Sequence, residues 1–488
     1  MSDADPDPIS EADIDAALNR VKLGTAPGYD NVHPEFLKHL GPTALTWLAA
    51  LFTRMLLEHQ IPKIWRQAKV IALEKPGKDP HLASSYRPIS LLSVCYKLLE
   101  RIILHRITPK VEELLSEDQA GFRRGRSTCV QVTALTTYIE NGFQRKLKTG
   151  AVFLDLTAAY DTIWHTGLLV KLTGSLPSWF VSAVELLLRN RRFRVHMGDK
   201  TSAWRTQKNG LPQGSVLAPT LFNLYTNDLP VTLCRRFAYA DDICCTMQAE
   251  TFAELECVLT ADIARITRYC QQWRLKPSVS KTVASAFHLQ NTRAARELTV
   301  LMNGQRLKHD FTPVYLGVTL DRTLSYKTHL SKTAGKLKTR NNLLSKLAGT
   351  TWGAGAHTLR TTALALCYSV AEYCCPVWAR SSFTHHVDSQ LNSSMRLITG
   401  CLRSTPVPWL PVLANIAPPG LRRQAATDDM VSRILRNSSW PLHDDFANHP
   451  PARLKSRRPI WSVDTTGVTD DLWRCLGVGL CGQPWPSA

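Results

Sequence analysis

The sequence is short of acid. Across 488 residues, 40 aspartates and glutamates stand against 59 lysines and arginines, a formal charge of +19. That excess suits a polyanionic partner, nucleic acid before membrane, because no amphipathic basic anchor accompanies it. A merely soluble basic surface would account for the charge equally well. CxxC pairs and regular cysteine spacing are also missing. The 13 cysteines, an odd number, read as reduced, mostly buried thiols of an intracellular protein. In "CCPVWARSSFTHH" (374–386) two cysteines precede two histidines, but adjacent pairs point in diverging directions, which weighs against zinc. The first twenty residues are acidic and lack the basic, apolar and small-residue regions of a signal peptide. Long hydrophobic runs are lacking too. "TTALALCYSVAEYCCPVW" is broken by Glu372 and polar residues, so it reads as a core helix and not a membrane span. There is no internal repeat.

What is present describes an ordinary globular chain: 44% hydrophobic and 20% charged residues, with length for roughly two to four domains. Ser10 can cap a helix "EADIDAALNRV", a "GTAPGYDN" turn follows, and Pro34 can open the next helix. "AKVIALEKPGKDPHLASSYRPISLL" (68–92) reads as a strand, a basic loop and a second apolar segment, and "KLLERIILHRITPKVEELL" has helical periodicity. "GAVFLDL" (150–156) is nearly continuous and apolar, as a buried strand would be. Helix-like sequence runs on to about residue 190, before a basic alternating segment "RRFRVHM". "QGSVLAPTLFNLYTNDL" (213–229) can form a helix with Leu217, Leu221 and Leu224 on one side, provided Pro219 falls in the first turn. Phe252, Leu255, Leu259, Ile263, Ile266 and Trp273 mark a core-facing helical stripe, and "PVYLGVTLD" (313–321) alternates as a strand. Beyond about residue 325 the pattern is mainly helical, and the tail from roughly 438 shows little periodicity.

"RRFAYADDICC" (235–245) sets two aspartates side by side among apolar residues. Alternation predicts strand, turn, strand, with Asp241 and Asp242 at the turn. Alone, such a pair is a common solvated turn former. Asp155 changes the balance, because it ends another predicted buried strand, and strand ends of one sheet can converge. Three carboxylates without basic partners repel one another unless cations sit among them. Oxygen-only ligands favour Mg²⁺ or Mn²⁺ over zinc. Two such ions about 3.5–4 Å apart are a standard device for in-line phosphoryl transfer.

"VFLDLTAAYDTIWH", "NGLPQGSVLAPTLFNLYTNDL" and "FAYADDICC", in this order and spacing, resemble the palm motifs of reverse transcriptases. "SYRPISLLSVCYKLLERIILHRI", "DQAGFRRGRST" and "VYLGVTLD" sharpen the likeness to non-LTR (LINE-type) retrotransposons, jockey-like ones in particular, from about residue 10 to about 430. The resemblance implies a catalytic metal triad of Asp155, Asp241 and Asp242, with the main-chain carbonyl of Leu156 completing one site, and two Mg²⁺ ions or Mn²⁺ in their place. It implies that Tyr160 is a steric gate excluding the 2′-hydroxyl, although an ordinary core aromatic would look the same. Backbone amides of Ala158 and Ala159 would face the triphosphate. Lys75 and Arg87, with Lys78 as a substitute for the first, would close over its β- and γ-phosphates. Gln213 and Gly214 would lie by the incoming nucleotide and template, and Tyr239 beside the primer–template. Lys281 would protonate the departing pyrophosphate. Arg123, Arg124 and Arg126 in "GFRRGRST" suit salt-sensitive contacts to the template backbone. Lysines and arginines at 332–346 would hold the duplex, though a solvated helix face fits them as well.

The fold so implied is α+β, a right hand with an antiparallel palm sheet followed by a mainly α-helical C-terminal region. The expected division is an N-terminal helical extension (1–60), fingers and palm (61–322), a helical thumb and C-terminal region (323–437), and an irregular tail (438–488). Expected partners are an RNA template, a DNA primer and deoxynucleoside triphosphates, with no membrane. The family usually encodes an endonuclease upstream, and neither that fold, a CCHC knuckle nor an RNase H pattern is visible. The expectation is therefore a polymerase whose endonuclease comes from another chain or is missing. Copying at chromosomal nicks implies the nucleus. Three other readings compete. An RNA-dependent RNA polymerase would commonly carry Gly-Asp-Asp and a polar residue where Ala240-Asp241-Asp242 and Tyr160 stand. A group II intron-type enzyme would differ over 250–430. A truncated or host-adopted, catalytically inactive nucleic-acid-binding relic would be expected to lose a triad aspartate, and none is lost.

Overall fold

The computed structural model describes residues 6–349, 352–454 and 458–462. They fall into two compact units. The first takes the chain up to residue 124 with 155–231 and 265–278; the second takes 125–154, 232–264 and the chain from 279 onward.

In the first unit, the helix Glu11–Leu18 begins where Ser10 and Asp13 cap each other reciprocally, the Asp13 amide on the Ser10 hydroxyl and the Ser10 amide on the Asp13 carboxylate. Arg106, on the long helix Val94–Leu114, ties this start down by bonding Asp13 and the carbonyls of Asp7 and Pro8. A five-stranded sheet follows, in which Gln67–Glu74 lies between Tyr86–Leu91 (antiparallel, Leu73 opposite Arg87) and Arg192–Met197 (parallel, Val70 opposite Val195). The two-residue strands Lys200–Thr201 and Arg205–Thr206 both pair with Arg192–Met197. The helix Val94–Leu114 buries Leu98, Leu99, Ile102, Ile103 and Ile107. The helix Ala218–Tyr225 has its proline in the first turn, where a missing amide costs nothing. Lys171 pins three helices together. Its ammonium donates to the Tyr225 carbonyl (2.7 Å) and the Tyr269 hydroxyl (2.6 Å), and lies 3.9 Å from the Trp273 ring centroid.

The second unit is built on another five-stranded sheet, in the order Lys308–His309, Val283–Phe287, Lys148–Leu154, Asp242–Ala249, Arg235–Tyr239. All its pairs are antiparallel except the first. Lys148–Leu154 is buried from Thr149 onward, which explains its unbroken apolar sequence: both faces are covered. Leu255, Leu259 and Leu298 cover Gly150, and a β-carbon there would lie 2.8 Å from the end of the Leu259 side chain, which would have to shift. The C-terminal part is helical, with Lys327–Leu347, His385–Thr399 and Pro419–Arg436 as its main helices. Two-pronged ion pairs, Arg422 with Glu372 and Arg423 with Asp388, bind the last of these to its neighbours.

Three sequence expectations change here. "VYLGVTLD" is not one strand but a hairpin, Val314–Tyr315 against Val318–Thr319, because Leu316 and Gly317 both take positive φ (44° and 80°), the geometry of a tight primed turn. "TTALALCYSVAEYCCPVW" is not one helix. It passes through a π-turn at Leu364–Tyr368 and breaks at Cys374, which is left-handed (φ 51°) before Pro376. Within the stretch expected to be irregular, Pro441–Ala447 is helical and packs on Thr128–Gln144, with Asp445 paired to Arg235 at 2.7 Å. The remainder of that stretch, from residue 463, lies outside the described residues.

Candidate active site

The two aspartates ride the tip of a hairpin whose body is core. Phe237, Cys244 and Cys245 are buried, and the Tyr315 hydroxyl donates to the Phe237 carbonyl at 3.1 Å. Tyr239 pairs with Asp242, leaving Ala240 and Asp241 as a two-residue turn in which Ala240 is left-handed (φ 57°). Asp242 is exposed, Asp241 half-buried. The neighbouring strand Lys148–Leu154 ends one residue before Asp155, and its last pair is Leu154 with Ile243, the residue after Asp242.

In the other unit the main chain just beyond that strand is pinned. Ser278 donates to the Asp155 carbonyl (2.9 Å), Leu156 bridges Pro277, and Thr157 donates to Lys276 (2.8 Å). Ala158 takes a left-handed conformation (φ 48°) and opens the single turn Ala159–Thr162. Ala158 is exposed and Ala159 buried. The Tyr160 ring stacks on Phe222, centroids 4.8 Å apart and planes 18° apart. Its carbonyl accepts the Leu211 amide (2.8 Å), which joins this turn to the "LPQGS" loop.

That loop is gripped on a second side. The Ser90 amide donates to the Gln213 carbonyl at 2.7 Å, and Gly214, at φ 130°, passes so close that a β-carbon would lie 2.4 Å from the Ser90 carbonyl oxygen. Only glycine fits there. Ser90 belongs to the strand that carries Arg87, and Arg87 is exposed. The Lys75 ammonium is engaged with the Ser84 carbonyl (2.8 Å) and closes the "KPGKDP" loop, while Lys78 is exposed.

The three arginines of "GFRRGRST" differ sharply. Arg123, its side chain 9% exposed, pairs with Glu112 (2.8 Å) and donates to the carbonyls of Ser116 and Gln119, so it builds its own turn. Arg124 is exposed. Arg126 stacks over Trp440 at 5.3 Å. Lys281 is exposed, two residues before the strand Val283–Phe287.

Glu100 escaped the sequence reading. It is 1% exposed, accepts the Val216 amide at 2.8 Å and the Ser215 hydroxyl, and so holds the "LPQGS" loop from the helix Val94–Leu114. Burial pushes its carboxyl above the usual glutamate range, and those two donors offset only part of that rise. One signal was available. Glu100 falls between Tyr96 and Ile103 on the apolar helical stripe, where a charge needs a partner.

Among the described residues, no group of three or more His, Cys, Asp or Glu side chains is drawn together as a ready metal site, and no helix is long and apolar enough to cross a membrane.

Comparison with known proteins bears on this geometry. The sequence profile of the family described as "Reverse transcriptase (RNA-dependent DNA polymerase)" matches residues 73–320. The "Probable RNA-directed DNA polymerase from transposon BS" of Drosophila melanogaster is 33% identical over 410 residues, 81% of this chain and 45% of that protein. The "RNA-directed DNA polymerase from mobile element jockey" of Drosophila funebris is 31% identical over 346 residues, 68% and 37%. The "Probable RNA-directed DNA polymerase from transposon X-element" of Drosophila melanogaster is 27% identical over 471 residues, 93% and 51%. The chain thus spans about half or less of each relative's length.

Proposed function

The chain belongs to the reverse transcriptase (RNA-dependent DNA polymerase) family, and from that premise we propose that it is the polymerase of a non-LTR retrotransposon, extending a primer 3′-hydroxyl with deoxynucleotides on an RNA template. The observation that carries this reading is the strand register: Leu154 opposite Ile243 puts Asp155 and Asp242 each one residue beyond the same pair. Asp241 is next to it in the turn.

The donor chemistry suits hard divalent cations, since three carboxylates and the Leu156 carbonyl offer only oxygen. Two Mg²⁺ ions, or Mn²⁺, held there would activate the primer hydroxyl and steady the leaving oxygen. The hydroxyl gives up its proton to solvent as its oxygen attacks the α-phosphorus, the bond to pyrophosphate breaks, and Lys281 gives pyrophosphate a proton. Arg87, with Lys75 or Lys78, neutralises the β- and γ-phosphates. The amides of Ala158 and Ala159 approach the triphosphate. Tyr160, braced by Phe222, sits under the sugar and rejects a 2′-hydroxyl by collision. Gln213 and Gly214 border the nascent base pair, and Tyr239 supports the primer end. Arg124 and Arg126 contact the template backbone; Arg123 has no such role because its charge is spent internally.

In this reading the sheet of the first unit belongs to the fingers, the aspartate-bearing sheet is the palm, and the helices after residue 323 supply the thumb. The nucleus is the place of action. The test is primer extension on an RNA template with Mg²⁺ and deoxynucleotides, set beside an Asp241→Asn, Asp242→Asn variant and a ribonucleotide lane. DNA synthesis that the variant lacks is the expected result. A wild-type chain that binds primer–template yet adds nothing would instead mark a relic.

A further inference from the structure

Glu100 has no obvious business in a core. Around it Leu98, Leu99, Ile102 and Ile103 are 0–2% exposed, and an apolar side chain would serve helix packing better than a desolvated carboxylate. Two of the groups that meet its oxygens come from one loop, the Ser215 hydroxyl and the Val216 amide, the latter at 2.8 Å, and the Tyr96 hydroxyl reaches it from one turn back on its own helix. The charges of Arg191 and Lys97 act on it from farther away. Ser215 passes the restraint along. Its hydroxyl oxygen also accepts the Ala218 amide (3.2 Å), the first residue of the helix Ala218–Tyr225, and its own amide donates to Pro212 (3.0 Å). On the opposite side, the Ser90 amide holds Gln213 at 2.7 Å. Gln213 and Gly214 are therefore fixed between a strand backbone and a buried carboxylate.

We infer that Glu100 is a positioning residue for nucleotide binding: through Ser215 and Val216 it holds Gln213 and Gly214 in the conformation that receives the incoming deoxynucleotide. This rests on the polymerase reading above. Glu100 itself touches no substrate. The prediction is a selective loss of deoxynucleotide affinity, with the fold and primer–template binding retained.

The test compares wild type, Glu100→Gln, Ser215→Ala, Ser215→Thr and Gln213→Ala by steady-state primer extension. It reads KM for deoxynucleotide and kcat separately, with primer–template Kd and Tm alongside. Ser215→Ala removes one donor to a buried charge and should raise KM by about tenfold or more, as loss of a charged hydrogen bond does. Ser215→Thr keeps the hydroxyl and should restore KM to near wild type. The Glu100→Gln amide can accept from Val216 and donate to Ser215, so its KM should fall between the two. Primer–template Kd should stay within about twofold throughout. If Gln213→Ala raises KM while Ser215→Ala and Glu100→Gln do not, Glu100 is not a positioning residue, although the polymerase reading stands. Should KM, Kd and Tm all worsen together and Ser215→Thr fail to rescue, Glu100 is merely structural. A wild type that adds no deoxynucleotide overturns the polymerase reading, and this inference with it.

Discussion

Gly214→Ala is the substitution on which the geometry makes its sharpest demand. A β-carbon at residue 214 would sit 2.4 Å from the Ser90 carbonyl oxygen, whereas a comfortable carbon–oxygen approach begins at about 3.3 Å. Either the loop or the strand Tyr86–Leu91 must retreat by about 0.9 Å. The bond that yields first is Ser90 to Gln213, now 2.7 Å. Its loss costs about 1 kcal/mol. Holding alanine at φ 130° adds about 1–3 kcal/mol of backbone strain, and crowding adds about 1–3 kcal/mol. Together these come to about 3–7 kcal/mol, a large share of the total stability of a domain. Gly24→Ala is the control: its φ is also positive (71°), but nothing lies within 4 Å of the added carbon. Only the left-handed penalty of about 1–2 kcal/mol applies there. Denaturant titrations followed by circular dichroism should separate the two variants clearly, and primer extension should fail with Gly214→Ala alone. If the two variants lie within about 1 kcal/mol of each other, the close approach to Ser90 is not what reserves this position for glycine.

Arg123→Ala should destabilise the protein by about 1–2 kcal/mol in denaturant titration, because it leaves the Ser116 and Gln119 carbonyls without their donor, while Glu112, 36% exposed, stays hydrated. Arg124→Ala should leave stability alone and lower the salt slope of RNA binding by about one. Equal behaviour of the two would contradict this division of labour. His329 supplies a pH dependence. It is buried, its ring accepts the Thr319 amide, and burial, then the charges of Lys336 and Lys332, hold its pKa at about 4. The unfolded chain takes up this proton near pH 6.5 and the folded chain only near 4. Its stabilising effect is therefore complete above about pH 6.5 and falls by up to about 3 kcal/mol as pH drops to 4. His329→Asn, which keeps an acceptor for Thr319, should flatten that part of the stability–pH curve; an unchanged slope would show that the histidine titrates normally in the fold.

The family relationship and the two aspartates were legible early because their signals are local. Apolar flanks around Asp241 and Asp242 specify two strands and leave the carboxylates nowhere but the turn. Ser10 and Asp13 cap a helix within one turn of chain, and Pro219 fits a first turn wherever that helix is placed. The hairpin at Val314–Thr319 has a local signal too, but alternation over "PVYLGVTLD" predicts a single strand, whereas Leu316 and Gly317 form a primed turn inside it.

Other features could not be read in this way. Arg123 looks like a template contact in "GFRRGRST", and only the folded turn with Glu112 on the preceding helix shows its charge already used. Glu100 looks like one polar residue on a helix until Ser215 and Val216, more than a hundred positions away, arrive at its carboxylate. Sequence alone therefore determined the family, the secondary elements around the aspartates and the chemistry those aspartates offer, because backbone periodicity and turn chemistry depend on neighbours a few residues apart. Tertiary structure alone decided which charges are spent within the fold, because a buried charge is satisfied by whatever partner the fold brings to it.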